Sequence, residues 1–149
     1  MCIRDSARTE QDRRIYNLPH HLDRGEEKYV SDAMIYNSSL LAREIGAKAI
    51  LGMTQTGYTG FKLSSYRPEA PIFMFTDKTK LLNMFSLLWG VRAFYYNQIE
   101  STVDKGIADL QMILKDKGLI NEGDMVINTG SMPVEEMGPT NYVKISVVK

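Results

Sequence analysis

Residues Thr54 to Gly60, Thr-Gln-Thr-Gly-Tyr-Thr-Gly, have the types and spacing best suited to chemistry in this sequence. The apolar run before them, Ala49-Ile50-Leu51-Gly52-Met53, predicts a buried strand. Phe61 to Tyr66 predicts a short helix, closed at Arg67-Pro68 because proline disfavours helix at the residue before it. A strand, a turn rich in hydroxyls and glycine, and a helix N-terminus together make a site for an anion. Unpaired backbone N–H groups and the positive end of the helix dipole face one point there. The hydroxyls of Thr54, Thr56 and Thr59 can donate to phosphate oxygens, and Gly57 and Gly60 let backbone approach a ligand closely. Such a loop binds phosphate rather than breaking it. It is neither a Walker A loop, since no Gly-Lys-Ser/Thr follows, nor a GxGxxG turn. Threonine and glycine after a strand also serve an ordinary turn and helix cap, so these seven residues alone leave both readings open.

The elements that must position this loop alternate between strand and helix. A long amphipathic helix is expected from about Tyr29 to Ile45, with Val30, Met34, Leu41 and Ile45 on its apolar stripe and Gly46 as its stop. Pro71 to Phe75 reads as a buried strand, and Thr76-Asp77 as the cap of a helix carrying Leu81, Leu82, Phe85 and Leu88. Gly90 ends that helix, and Val91 to Tyr96 is the next strand. Ser101 and Asp104 have capping-box spacing, with Asp in place of the usual Glu. The helix that follows places Val103, Ile107, Leu110 and Leu114 on one face, and Gly118 closes it. Asp124 to Thr129 and Tyr142 to Val148 are strands joined by a loop, Gly130 to Asn141. Right-handed crossovers then give an α/β fold, a three-layer α/β/α sandwich around a mainly parallel five-stranded sheet. The last strand, with no helix before it, is expected to be antiparallel.

The 149 residues suffice for one such domain, and 44% hydrophobic with 24% charged residues can bury a core. Eighteen basic and eighteen acidic residues balance, and no Lys/Arg block suggests a nucleic acid or membrane surface as partner. Apolar runs such as Ile72 to Phe75 fall far short of the about 20 residues of a membrane span. The single cysteine, Cys2, rules out an internal disulfide and a cysteine-based metal site, and suits a reducing cytoplasm. Met1 to Ser6 look like translated adapter sequence and are expected to be a non-native leader, which would make the chain a piece of a longer protein.

Other residues with chemical potential read as structural. His20-His21 are adjacent on a loop, without Cys or spaced carboxylates, and make poor metal ligands. Glu26-Glu27 fit the solvated start of a helix better than an acid/base pair. Trp89 and Phe94-Tyr95-Tyr96 fit core packing better than nucleotide stacking. No catalytic residue or metal ligand is assigned.

Read in order, the chain resembles the C-terminal domain of pyruvate kinase. The resemblance rests on Ser31-Asp32-Ala33-Met34, Thr54 to Thr59, the stretch Tyr66-Arg67-Pro68-Glu69-Ala70-Pro71-Ile72, Trp89-Gly90-Val91, and Gly123 to Ile127 with Thr140-Asn141. It covers residues 29–149, and residues 7–28 look like the tail of the preceding barrel and its linker. The resemblance implies an allosteric and assembly domain, separate from the (β/α)8 barrel that holds magnesium, often potassium, phosphoenolpyruvate and ADP. No cofactor is expected in this chain. It implies a phosphorylated small-molecule effector at Thr54, Gln55, Thr56, Gly57, Tyr58 and Thr59, and a second effector loop at Gly130, Ser131, Gly138 and Thr140. It also implies assembly with like subunits into a homotetramer, and a cytoplasmic place in glycolysis. Where family members often carry arginine for a second phosphate, this chain has Lys105-Gly106, and its final loop carries Glu135-Glu136. One phosphate site is therefore expected intact and the second weakened. The alternatives are a stand-alone phosphate- or nucleotide-binding module of similar fold, and a small enzyme of another kind.

Overall fold

Alternating apolar residues build the sheet. In β1 (Ala49–Met53) and β2 (Ile72–Thr76) successive side chains leave opposite faces, so Ile50, Ile72 and Met74 join one core while Ala49, Leu51, Phe73 and Phe75 join the other. All of β2 is buried, as a strand covered on both faces must be. The computed structural model describes residues 28–97, 102–131 and 138–149. With β3 (Val91–Tyr95), β4 (Met125–Gly130) and β5 (Tyr142–Val147), the sheet has the order β3-β2-β1-β4-β5. The β1–β2, β1–β4 and β2–β3 pairs are parallel, and only β4–β5 is antiparallel. At its centre Ile50 lies between Ile72 and Ile127 in register. The expected mainly parallel sandwich with an antiparallel last strand is the observed fold.

Helices cover both faces. On one, α1 (Tyr29–Glu44), α2 (Tyr58–Tyr66) and α3 (Thr79–Phe85) bury Ile35, Ala42, Leu63, Leu81 and Phe85. On the other, α4 (Val103–Asp116) buries Leu110 and Leu114 against Leu51, Phe73 and Val126. Each fully buried aliphatic or aromatic side chain contributes roughly 1.5–3 kcal/mol relative to exposure.

The helices differ from expectation where polar groups set their ends or faces. In α1 the buried face is Ser31, Asp32, Ile35, Ser38 and Ala42, not the expected stripe, and Val30 is 64% exposed. Leu41 and Ile45 pack only partly against the core. The face is turned because Asp32 docks onto α2, where Tyr58 Oη donates to its Oδ1 at 2.5 Å and Lys62 Nζ lies 2.9 Å from its Oδ2. Helix α2 begins at Tyr58 rather than Phe61, with Gly57 as its N-cap, and ends on Arg67 in the left-handed region. The N-cap of α3 is Lys78, whose N–H donates to Thr76 Oγ1 at 3.1 Å, so Thr76 closes the turn before the helix instead of capping it. The N-cap of α4 is Thr102, whose Oγ1 accepts from the Lys105 N–H at 3.5 Å. Asp104 pairs with Lys144 of β5 instead of completing a capping box. The expected leader (Met1 to Ser6), the linker through Glu27 with His20 and His21, Ser101, Glu135 and Glu136 lie outside the described residues. No helix among the described residues is long and apolar enough to cross a membrane.

Candidate functional site

The threonine loop leaves β1 at the point where the sheet divides. From β1 the chain passes through α2 to β2 on one side, while β4 pairs on the other. Such a switch point opens a crevice at the carboxyl ends of the strands. Thr54 is anchored there by its N–H, which donates to the Phe75 carbonyl at 3.0 Å. Its Oγ1 accepts from the Gly57 N–H at 2.9 Å, and Thr56 Oγ1 accepts from the Tyr58 N–H at 3.4 Å. The two hydroxyls thus cap the loop's own backbone, yet each keeps its proton to donate, since accepting uses only a lone pair. No described residue accepts from the N–H groups of Thr59 and Gly60 in the first turn of α2. These are the donors that a helix N-terminus offers to an anion.

Thr59 reaches across to the β4–β5 connection. Its Oγ1 lies 2.8 Å from Thr140 Oγ1, and both side chains are buried. Around this contact lies a cavity of about 630 Å³. Its lining includes Thr54, Gln55, Thr56, Tyr58 and Thr59 from the first loop and Ser131, Gly138 and Thr140 from the second. Two segments far apart in sequence therefore face one space.

Gly57, Gly60 and Gly130 do not line it. Gly57 has φ 86, and a Cβ there would sit 3.0 Å from Leu81. A Cβ at Gly60 would come within 2.6 Å of the Phe85 ring, and one at Gly130 within 2.8 Å of Tyr142. Gly57 serves a left-handed turn, and Gly60 and Gly130 serve close protein packing; close approach to a ligand was the expectation for Gly57 and Gly60.

The cavity also draws on residues that sequence reasoning passed over. Lys28 and Asp77 are its ammonium and its carboxylate among the described residues. Lys28 Nζ stands 4.3 Å from the centroid of the Tyr58 ring, a cation–π contact at the start of α1. Asp77 directly follows β2, and its Oδ2 lies 3.2 Å from Lys78 Nζ. Met53, Phe75 and Tyr96 supply apolar wall, with the Phe75 and Tyr96 rings edge-on at 6.2 Å. Tyr96 Oη is fixed by donating to Asp109 Oδ2 at 3.1 Å. A polar residue directly after a buried strand was the available signal for Asp77; for Lys28 the sequence holds none. The described residues include no group of three or more His, Cys, Asp or Glu able to hold a metal ion.

Comparison with known proteins decides the family. The family described as "Pyruvate kinase, alpha/beta domain" matches residues 32–146. The chain belongs to the pyruvate kinase family. It is 31% identical over 107 residues to a pyruvate kinase of Lactobacillus delbrueckii subsp. bulgaricus, covering 72% of this chain and 18% of that protein. With a pyruvate kinase of Clostridium acetobutylicum it shares 31% identity over 124 residues, 83% of this chain and 26% of the relative. A crystal structure of pyruvate kinase from Cryptosporidium parvum superposes with a TM-score of 0.72 at 26% identity, covering 80% of this chain and 23% of that one. The chain thus corresponds to the family's alpha/beta domain and spans about a fifth to a quarter of the length of these pyruvate kinases.

Proposed function

We propose that this chain is the effector-binding and subunit-assembly domain of a pyruvate kinase. On this reading a barrel outside these residues, using magnesium and often potassium, moves the phosphoryl group from phosphoenolpyruvate to ADP in cytoplasmic glycolysis. The observation that carries the proposal is the Thr59–Thr140 hydrogen bond, which joins the two loops over one cavity at the N-terminus of α2. A phosphate there meets the Thr59 N–H and the hydroxyls of Thr54 and Thr56, with the Gly60 N–H next in the same helix turn, while Lys28 adds a positive charge to the lining. Charge-assisted hydrogen bonds of this kind are the strong ones. The effector is a monophosphate, since Glu135 and Glu136 in the final loop, and Gly106 where relatives often carry arginine, disfavour a second phosphate. Calorimetric titration of the chain tests this: replacing Thr56 and Thr59 by Val removes monophosphate binding. Bisphosphate-selective binding by the unchanged chain contradicts it.

Assembly follows from β5. This edge strand exposes Ile145 (46%) and Val147 (54%) and leaves an edge free of proline, so it can pair with the same strand of a second copy. Sedimentation should show dimers at micromolar concentrations, weakened by Ser146→Pro; a monomer at high concentration contradicts this. By itself the chain should not make pyruvate from phosphoenolpyruvate and ADP, and turnover abolished by a mutation within it would overturn the assignment.

A further inference from the structure

Three buried side-chain oxygens without a hydrogen-bond partner among the described residues belong to residues lining one cavity. They are Ser31 Oγ, Gln55 Oε1 and Asp77 Oδ1. Buried polar atoms without partners are rare in folded proteins, and each asks for an explanation. A fourth, Asn128 Oδ1, belongs to a residue that does not line the cavity, so the grouping is a property of this site. Ser31 is only 2% exposed and lies on the polar face that α1 turns inward.

The chemistry of the three is one-sided. A carboxylate and an amide oxygen can only accept, and a serine hydroxyl can accept or donate. Lys78 engages Asp77 through Oδ2 and is not part of the lining, while Oδ1 is buried with no hydrogen-bond partner among the described residues. The natural complement is a group bearing O–H or N–H donors on a carbon skeleton that can rest on Met53, Phe75 and Tyr96. A phosphate is the wrong complement. It brings acceptors to acceptors and a second negative charge to Asp77.

We propose that Asp77, with Gln55 and Ser31, is the specificity-determining part of this cavity. It receives the hydroxyl or amino donors of the unphosphorylated end of a sugar or nucleoside monophosphate, and it turns away a second phosphate. The inference rests on the reading that the Thr54–Thr59 loop holds the first phosphate. It is otherwise independent of the final loop, because Asp77 excludes the second phosphate whatever Glu135 and Glu136 do.

Calorimetry on the 149-residue chain with inorganic phosphate, ribose 5-phosphate, adenosine 5′-monophosphate and fructose 1,6-bisphosphate separates the two readings. Both monophosphates should bind about tenfold or more tighter than inorganic phosphate, as expected when a charged acceptor gains a donor. Asp77→Asn should weaken the monophosphates about tenfold, leave inorganic phosphate within about twofold, and reduce the disadvantage of the bisphosphate. Ser31→Ala, which removes only the hydroxyl, should act in the same direction and covers the case in which Asp77→Asn does not fold. A larger loss for ribose 5-phosphate marks hydroxyls as the donors, and a larger loss for the nucleotide marks the amino group. If inorganic phosphate binds but neither monophosphate binds more tightly, this inference fails while the phosphate loop stands. An equal loss for phosphate and monophosphates in Asp77→Asn also overturns it, since Asp77 would then only position the loop. If none of the four binds, both readings fall.

Discussion

Helices α1 and α4 lie on opposite faces of the same sheet and bury different chemistry. Helix α4 hides Ile107, Leu110 and Leu114 around Gly106 and buries none of its charged side chains. Helix α1 hides Ser31, Asp32 and Ser38 among its five buried residues and leaves Val30 exposed. The difference follows from what each helix faces. Helix α4 buries only apolar side chains and Gly106 against the sheet. At its margins Gln111 donates to Ser146 of β5, Asp104 pairs with Lys144 and Asp109 accepts from Tyr96. Helix α1 meets the first turn of α2 and, through Ser31, the cavity beside the threonine loop. One helix holds the fold together; the other couples the fold to the site.

Variants that act on only one of the helices can break that division. The largest effect is expected from Leu114→Ala in α4, where a fully buried side chain leaves a cavity. It should cost about 2–5 kcal/mol in urea denaturation while leaving phosphate affinity unchanged in the folded fraction. Tyr58→Phe comes next. It strips one donor from the buried Asp32 carboxylate, costing about 1–3 kcal/mol, and unlike Leu114→Ala it should also weaken phosphate binding by loosening α1 from the first turn of α2. An undiminished affinity in Tyr58→Phe would remove the coupling role given to α1. Thr102→Ala sharpens the contrast from the α4 side: its capping bond is long, at 3.5 Å, so the loss should be about 0.5 kcal/mol with no effect on binding.

The smallest effect is silent at neutral pH. Tyr66 is almost fully buried beneath α1, and burial first, then the Asp32 carboxylate and Tyr36, push its phenol up to about 12. Below pH 10 both folded and unfolded chains hold this proton, so it contributes no pH dependence. Between about pH 10 and 12 the unfolded chain loses the proton first, so stability should fall as pH rises. Tyr66→Phe should flatten that slope in denaturation curves taken across the range.

The same contrast explains what was legible in the sequence. In α4 the apolar spacing of Ile107, Leu110 and Leu114 named the buried face, because burial there is hydrophobic and nothing competes with it. In α1 the pattern of Val30, Met34, Leu41 and Ile45 pointed about one residue away from the true face, because small and polar side chains pack where an ion pair draws the helix in. The threonine loop could be read because strand, turn and helix are contiguous. The rest of the cavity could not. Asp77 and Tyr96 meet the loop through strand order, and Lys28 and Ser31 through the docking of α1 on α2, and no local spacing encodes either. Gly57 and Gly60 were legible as special positions but not in their purpose, since Leu81 and Phe85 press against them from a later helix.

The central claim is that the first turn of α2 is an anion site and that the buried apolar face of α4 stands apart from it. Amide NMR during titration with inorganic phosphate and then ribose 5-phosphate tests it most directly. The predicted result is a saturable shift of the Thr59 and Gly60 amides, accompanied by Thr140, with Ile107, Leu110 and Leu114 unmoved. Saturation with Thr59 and Gly60 unmoved, or the largest shifts in α4, would contradict it.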